Sequence, residues 1–171
     1  MKILYISKSI IPSRTANSVH VMKMCQALSE NGHDLVLLAP NQKTQYEKDV
    51  VNIYDYYGVK KNFVIKKLWH PNIKSGNFFY TLAILFYLFK NKNFNLVYGR
   101  FLHGCYIATL MGNKVIFETH ESILNMKNHR KIIFKKLISS KYFKKLVVIS
   151  QVLKNIYLEN IILNNNKIQV A

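Results

Sequence analysis

The amino-acid sequence predicts an α/β fold: a Rossmann-like, doubly wound and mostly parallel sheet of about six strands. Short apolar runs of strand length alternate along the chain with longer segments that have helical periodicity. The short runs are apolar throughout, which is typical of strands that helices cover on both faces. Helices that connect successive strands give parallel pairs with right-handed crossovers. The length of 171 residues suits one domain, and we assign residues 1–171 to it.

The predicted strands are apolar runs bounded by polar residues or turn formers. The clearest are ILYI, LVLLA and LVVI, and FVI is the weakest because it is so short. In chain order, the runs lie at 3–6, 35–39, 63–65, 96–98, 115–118 and 146–149. The interval 41–62 is polar and rich in tyrosine, and it receives no assignment.

The predicted helices fill the intervals between these runs. In chain order, they span about 18–31, 77–90, 101–111, 127–138 and 150–160. Asn17 or Ser18 is expected to cap the first helix and Gly32 to end it, and Ser150 is expected to cap the last. The second helix contains the longest apolar run, at 78–89. That run is shorter than the roughly 20 residues that a membrane span needs.

The chain is strongly basic, with 25 lysine and arginine residues, 8 aspartate and glutamate residues and a net charge of +17. This charge attracts polyanions such as nucleic acid, anionic lipid or phosphorylated substrates. The alternative is a solvated, lysine-rich surface that reflects only a biased composition. Cys25 and Cys105 lie far apart in apolar segments and are expected to be buried, reduced thiols, which suits a cytoplasmic location. The first residues do not resemble a signal peptide.

Polar and ionisable residues follow the predicted strands at the edge of the sheet where ligands bind in doubly wound folds. Lys8 follows the first strand, and Arg100 follows the fourth. His120 follows the fifth strand, between Glu118 and Glu121. We therefore expect His120 at the rim of a site, where a neighbouring carboxylate can orient its imidazole.

The sequence lacks the common cofactor and nucleic-acid motifs. The loop after the first strand has no glycine, and no acidic residue closes the second strand, which argues against an NAD site. There is no Walker loop, no pair of nearby cysteines and no HExxH motif, and the other histidines lack ligand spacing, so no metal is expected. Nucleic acid is not expected as a partner, because no helix-turn-helix, RRM or zinc pattern is present.

Three segments, in this order, resemble the family-4 glycosyltransferases of the GT-B architecture. The first is MKILYISKSIIPSRTANSVHVMKMCQALSENGHDLVLLAP, the second is LVYGRFLHGCYIATLMGNKVIFETHES and the third is KKLVVISQVLKNIYLEN. The resemblance implies two Rossmann-like domains with a cleft between them, of which this chain is the N-terminal, acceptor-side one. The C-terminal, donor-binding domain would be absent from the chain, which is then expected to transfer no sugar by itself.

The resemblance also implies roles for particular residues. His120 matches the family histidine that contacts the donor sugar, and Asn17 and Ser18 fall close to the donor diphosphate. Contacts to the acceptor or to a phosphate are implied for Ser13, Arg14, Arg100 and Glu121. The implied reaction is retaining transfer of a sugar from a nucleotide-sugar to a glycan or lipid-linked acceptor, with no metal and no other cofactor. The alternative is a non-catalytic module that binds an anionic ligand.

The basic helix at 127–138 predicts a contact with the membrane. Family members that act on lipid-linked acceptors work at the cytoplasmic face of the membrane, so a peripheral location on its inner face is implied. Ile133, Phe134, Leu137 and Ile138 share one side of the helix. Lys131, Lys135 and Lys136 are expected to face an anionic membrane surface.

Overall fold

A computed structural model describes residues 1–42, 44–161 and 163–171, in which seven strands form one parallel sheet. The strands are β1 (Lys2–Ile6), β2 (Asp34–Pro40), β3 (Val64–Leu68), β4 (Leu96–Gly99), β5 (Val115–Thr119), β6 (Phe143–Val148) and β7 (Ile168–Val170). Their order across the sheet is β3-β2-β1-β4-β5-β6-β7, so the chain builds outward from β1 to one edge, returns to β4 and continues to the other edge. The predicted Rossmann-like fold is confirmed.

Six α-helices connect the strands in the described part of the chain. They are α1 (Ala16–Glu30), α2 (Ile53–Tyr56), α3 (Gly76–Lys90), α4 (Leu102–Leu110), α5 (Asn128–Ile138) and α6 (Gln151–Asn160). None of the described helices is long and apolar enough to cross a membrane. The apolar run in α3 instead buries Tyr80, Ile84 and Leu88 against the sheet and leaves other aromatic residues exposed.

Residues that cap or end a helix were predicted at three places, and the prediction is confirmed at two of them and wrong at one. Ser150 caps α6, because its side chain accepts a hydrogen bond from Leu153 N–H. Gly32 follows α1 with a φ of 79°, the left-handed conformation that favours glycine at this position. The cap of α1 is neither Asn17 nor Ser18 but Thr15, whose hydroxyl accepts from Ser18 N–H at 3.3 Å. The helix therefore begins two residues earlier than predicted, and both expected caps lie inside its first turn.

Helices cover both faces of the sheet, as the uniformly apolar strands predict. On one face, α1 and the segment around Tyr57 and Phe63 pack against β1, β2 and β4. On the other face, α3, α4, α5 and α6 pack against β1, β2, β4, β5 and β6. Cys25 lies in the first core and Cys105 in the second, so both thiols are buried and free, as expected.

Strand β7 and helix α2 were not predicted. The sheet has seven strands and not six, because Ile168–Val170 pairs with β6 at the edge of the sheet. This strand is short and only Ile168 in it is buried, so its apolar signal is weak. Helix α2 is a single turn within the unassigned interval 41–62, and Asn52 caps it. The chain next to this turn supports the loop before α1, since Tyr57 Oη accepts from Ser13 N–H at 2.7 Å.

The topology determines where a ligand can bind. The strand order reverses between β1 and β4, and open α/β sheets bind ligands beyond the carboxyl ends of the strands at such a switch point. Ser7 and Lys8 follow β1, and Arg100 follows β4 at this point. His120 follows the neighbouring strand β5.

Candidate functional site

Glu118, near the end of β5, is the centre of a group of polar side chains that we call the Glu118 cluster: Tyr98, Arg100, Glu118, His20 and His120. The Glu118 side chain is only 1% exposed. Tyr98 Oη donates to its Oε2 at 2.9 Å, and the Nε2 atoms of His20 and His120 lie 3.0 and 2.9 Å from its Oε1. Arg100 Nε lies 3.5 Å from the same oxygen. A buried carboxylate needs such partners to offset the loss of water.

His120 is held between Glu118 and Arg100. Its Nε2 atom lies 2.6 Å from Arg100 Nη2 as well as 2.9 Å from the Glu118 carboxylate. The guanidinium is always protonated, so this nitrogen accepts from Arg100 in one tautomer and donates to Glu118 in the other. The imidazole is therefore fixed in position while its proton has two arrangements. A side chain fixed in this way suits the positioning of a substrate group.

Arg100 is nine-tenths buried, with 10% of its side chain exposed. Its Nη1 atom is buried and has no hydrogen-bond partner among residues 1–42, 44–161 and 163–171. An unpaired buried donor on a charged group is costly, so this atom is available for an oxygen of a ligand.

Electrostatics fix the protonation of two members of the cluster. Burial lowers the pKa of His20, and the neighbouring Arg100 and His120 act in the same direction against the attraction of Glu118. His20 Nε2 lies close to Glu118 but outside hydrogen-bond geometry, which agrees with a neutral ring. Burial and the charge of Glu118 raise the pKa of Tyr98, so its hydroxyl keeps the proton that it donates to Glu118.

The segment after β5 is turned toward the cluster by local hydrogen bonds. Glu121 N–H donates to Thr119 Oγ1 at 3.2 Å, and Tyr157 Oη of α6 donates to Glu121 C=O at 2.7 Å. Glu121 then pairs with Arg130 of α5 at 2.7 Å. The apolar run of β5 therefore ends in consecutive polar residues: Glu118 is buried against Tyr98, and the residues after β5 form a loop at the rim.

Two adjoining cavities open at this edge of the sheet. The smaller one, of about 150 Å³, is lined by residues that follow β1 and β5 and by Asn17 of α1. The larger one, of about 330 Å³, lies between the starts of α3, α4 and α5. Lys8, Arg100, Glu121 and Arg130 line both cavities. His120 lines the smaller cavity.

The other predicted site residues lie in or next to the loop before α1, and they differ in burial and in whether they line a cavity. Asn17 lines the smaller cavity, where its amide donates to Ser9 Oγ. Ser18 is fully buried, and its hydroxyl donates within the loop to the carbonyls of Ser13 and Thr15. Ser13 is buried beside it. Arg14 is 74% exposed and pairs with Glu47 at 3.1 Å. It is not among the residues that line either cavity.

The sequence matches the model of a known protein family. The model described as "Glycosyltransferase Family 4" matches residues 18–171, nearly the whole chain. The chain belongs to glycosyltransferase family 4. The resemblance that the three sequence segments indicate, to the N-terminal domain of a family-4 GT-B enzyme, is confirmed. No curated protein sequence gives a significant match.

Solved structures share the fold of this family-4 domain at low identity. Sucrose-phosphate synthase from Thermosynechococcus elongatus has a TM-score of 0.69 at 12% identity, covering 99% of this chain and 47% of that one. HepE from Anabaena, in complex with UDP and glucose, has a TM-score of 0.68 at 8% identity, covering 99% and 44%. UDP-GlcNAc 2-epimerase from Methanocaldococcus jannaschii has a TM-score of 0.66 at 15% identity, covering 99% and 45%. The chain thus spans less than half the length of these three proteins.

Three residues of the site at the carboxyl edge of the sheet were not predicted from the sequence: His20, Tyr98 and Arg130. His20 lies one turn before Met24 on the inward side of α1, and this spacing was the available signal. Tyr98 lies two residues after Leu96 in β4, on the face of the sheet that also carries Glu118. Arg130 is the third residue of α5, for which the sequence predicts only a contact with the membrane. His20 and Tyr98 are distant in sequence from His120, and Arg130 lies on the next helix, so only the fold shows that they are neighbours.

One group of side chains in the domain has the composition of a metal site. The ligand atoms of His20, Glu118 and His120 lie within 4.8 Å of one another. In the described structure the Glu118 carboxylate already has His120 and Arg100 as partners. A guanidinium 2.6 Å from one of the two nitrogens opposes a second positive charge at this place.

The three lysines predicted to face a membrane lie on α5. Lys135 and Lys136 are exposed, whereas Lys131 is half-buried and its Nζ donates to Leu124 C=O at 3.3 Å. Phe134, Leu137 and Ile138 are buried on the other side of the helix, and Ile133 packs partly against the same core. The predicted amphipathic arrangement of the helix is therefore present.

Proposed function

We propose that this family-4 domain is the N-terminal half of a retaining glycosyltransferase. The enzyme would move a sugar from a nucleotide-sugar to a glycan or lipid-linked acceptor in the synthesis of a cell-surface polysaccharide such as a capsule or lipopolysaccharide. The observation that carries the proposal is His120, fixed by Glu118 and Arg100 at the mouth of a basic cavity at the switch point of the sheet. The complex of HepE with UDP and glucose supports a nucleotide-sugar as the donor.

The residues suit the charges that develop in such a transfer. The donor loses a nucleoside diphosphate, so negative charge grows on the leaving group while positive charge grows on the sugar. The N-terminal turn of α1, where Asn17 lines the smaller cavity, provides a helix dipole for the diphosphate. His120 would hold the sugar by a hydrogen bond, and Arg100 and Glu121 would contact the acceptor. Ser18 would act by shaping the loop, because its hydroxyl is already bonded to that loop.

The proposed reaction is independent of metal. Positive charge for a departing diphosphate is supplied here by Lys8, which lines the smaller cavity, and by the N-terminal turn of α1. Such groups can stabilise the negative charge that develops on the leaving group. Addition of a chelator should therefore leave turnover unchanged.

The test uses the enzyme produced from its complete gene, incubated with a panel of nucleotide-sugars and assayed for released nucleoside diphosphate. The change is His120→Ala, which should lower turnover by roughly 10²-fold or more while the fold is retained, because positioning of the sugar is lost. The matched control is His33→Ala, at the amino end of β2 on the opposite edge of the sheet, which should keep its activity. Near-normal turnover in His120→Ala would contradict the role of His120. Absence of turnover with every donor would favour the non-catalytic anion-binding module.

We also propose that the domain docks on the inner face of the plasma membrane, as an acceptor linked to lipid requires. Helices α3 and α5 lie on the same face of the sheet, and α4 packs between them. Lys135 and Lys136 of α5 are exposed, and Phe78, Phe86 and Phe89 of α3 are each at least 60% exposed. Aromatic rings that enter the interface and lysines that meet anionic headgroups are the two components of reversible docking.

The docking is tested by co-sedimentation with vesicles, with and without phosphatidylglycerol, across a salt series. A variant with Lys131, Lys135 and Lys136 changed to Glu should lose binding, since each basic residue contributes about 1 kcal/mol at an anionic surface. The control variant carries the same charge change at Lys23, Lys60 and Lys61, around α1 on the opposite face, and should bind normally. Binding that ignores lipid charge, or that persists in high salt, would contradict the electrostatic contribution.

A further inference from the structure

Three helices begin at the larger cavity, and none of the three has a side-chain cap among the described residues. The preceding residues, Ser75 for α3, Phe101 for α4 and Lys127 for α5, make no side-chain hydrogen bond to the first turn. In contrast, Thr15 and Ser150 cap α1 and α6. The first turn of a helix has N–H groups without intrahelical partners and the positive end of the helix dipole. Three such ends at one cavity favour an anion in it.

The side chains that line the cavity are also cationic. They include Lys8, Arg100, Lys127 and Arg130, together with His103 and His129. Glu121 is the one carboxylate among the described lining residues, and it pairs with Arg130 at 2.7 Å. The cavity therefore keeps an excess of positive charge that its own residues do not neutralise.

Arg100 gives a second and independent indication of a ligand. Nine-tenths of its side chain is buried, and its Nη1 atom lacks any hydrogen-bond partner in the described ranges 1–42, 44–161 and 163–171. Glu118 and His120 occupy the other nitrogens of the guanidinium. An oxygen of a bound anion would satisfy the remaining donor and complete the arrangement.

The ionisation of His103 reports the same positive potential. Burial lowers the pKa of His103, and Arg130, His129 and Lys8 lower it further, in that order. These three side chains act on the ring from the loop after β1 and from α5, and the Phe101 ring lies 5.4 Å from it between ring centroids. A bound anion would offset these charges, so the pKa of His103 serves as a probe of occupancy.

We propose that the larger cavity binds a phosphate monoester, and that this is the phosphate of the acceptor. The identification as an acceptor rests on the proposed glycosyl transfer, but the binding of the phosphate does not. A dianion suits three helix N-termini and four permanent cations better than a single carboxylate does. A volume of about 330 Å³ falls in the range of small-molecule sites, roughly 300–1,000 Å³, so the group esterified to the phosphate also has room.

The position of the cavity agrees with an acceptor. It shares Lys8, Arg100, Glu121 and Arg130 with the smaller cavity that His120 lines. A phosphate bound against the helix N-termini would leave its esterified group free to extend past Arg100 toward His120. Arg100 would then connect the two functions, because it contacts His120 through Nη2 and has Nη1 for the phosphate.

The binding experiment measures the pKa of His103 by NMR in the 171-residue chain, at constant ionic strength set with chloride. Inorganic phosphate and glucose 6-phosphate are the soluble probes, and phosphatidic acid in phosphatidylcholine vesicles is the lipid probe. We expect a saturable rise in the pKa of His103 with at least one phosphate monoester. Saturation by glucose 6-phosphate indicates a soluble acceptor, and saturation only by phosphatidic acid indicates a lipid-linked one. A pKa that does not respond to any of these probes, or that responds equally to chloride, would overturn the proposal.

Substitutions test whether the phosphate binds in the larger cavity. Arg100→Gln and Lys127→Ala should each weaken phosphate binding by roughly tenfold or more, as the loss of a hydrogen bond to a charged group does. Lys127 is exposed, so its variant tests the proposal even if Arg100→Gln folds poorly. The matched control is Lys114→Ala, an exposed lysine at the amino end of β5, which should bind as the wild type does. Equal affinity in Lys127→Ala and the wild type would contradict the site.

The two proposals fail in different ways. If the complete enzyme turns over no nucleotide-sugar but phosphate still raises the pKa of His103, the glycosyl transfer is wrong and the anion site remains. If the enzyme is active and phosphate monoesters leave His103 unchanged, the acceptor is not recognised through a phosphate in this cavity.

Discussion

The buried carboxylate of Glu118 offers the sharpest test of the site, through the substitution Glu118→Gln. The change keeps the shape of the side chain and removes its negative charge from the cluster formed with Tyr98, Arg100, His20 and His120. Because Glu118 is 1% and Arg100 10% exposed, solvent screens this interaction little. Removal of one partner of a buried ion pair costs about 3–5 kcal/mol. The glutamine oxygen can still accept one hydrogen bond, so we expect about 3 kcal/mol.

This free energy is large enough to measure by thermal unfolding. For a domain of this size, each kcal/mol lowers Tm by about 2–4 °C, so Glu118→Gln should lower it by about 6–12 °C. The control is Glu121→Gln, in which the same change is made to a carboxylate that is 33% exposed and paired with Arg130. A partly exposed pair contributes less than about 1 kcal/mol. Equal shifts in Tm for the two variants would refute the view that the charge of Glu118 holds the cluster together.

Three further predictions concern stability and reactivity. The pKa of His103 is lowered in the folded chain, so the unfolded chain binds more protons as the pH falls through about 6.5. The free energy of unfolding should therefore decrease on acidification. Urea titrations at pH 7 and pH 5 should show a smaller decrease for His103→Gln than for the wild type. Gly99→Ala should lower the free energy of unfolding by about 1–3 kcal/mol in the same titrations, because the added Cβ would lie 2.7 Å from Cys105 Sγ and 2.9 Å from Ile6 O. In the control, Gly32→Ala, the added Cβ meets no atom within 4 Å, so the variant should show only the cost of its positive φ. Burial raises the pKa of both Cys25 and Cys105, so a thiol reagent should label them only after denaturation; rapid labelling of the native chain would show that one of the two cores opens readily.

The fold was predictable because its signal is local and repeated. Strands such as LVLLA are apolar on both faces, and the helices between them each keep one apolar side, so the alternation can be read along the chain without tertiary information. Strand β7 and helix α2 lack this property. The first is an edge strand with one buried residue, and the second is a single turn, so each depends on contacts made by distant segments.

The site was predictable only in part, for the same reason. His120 and Arg100 follow apolar strands directly, and the rule for the carboxyl ends of parallel strands places them at one edge. The role of Ser18 depends on which hydroxyl caps α1, and a short polar sequence such as SRTANS offers several equivalent candidates. Arg14 was assigned by its place in the loop, but its charge is compensated by Glu47, a contact that no local pattern indicates.

The balance of charge at this edge explains why a chain with so few acids buries Glu118 there. The described residues that line the two cavities include four permanent cations, Lys8, Arg100, Lys127 and Arg130, and two carboxylates, Glu118 and Glu121. Without Glu118, the guanidinium of Arg100 would be buried with no counter-charge, at a cost that a marginally stable domain does not tolerate well. With more carboxylates, the cations would be neutralised internally and would not attract a ligand. Two carboxylates hold the arginines in place and leave an excess of two positive charges at this edge of the sheet, which favours the binding of anions.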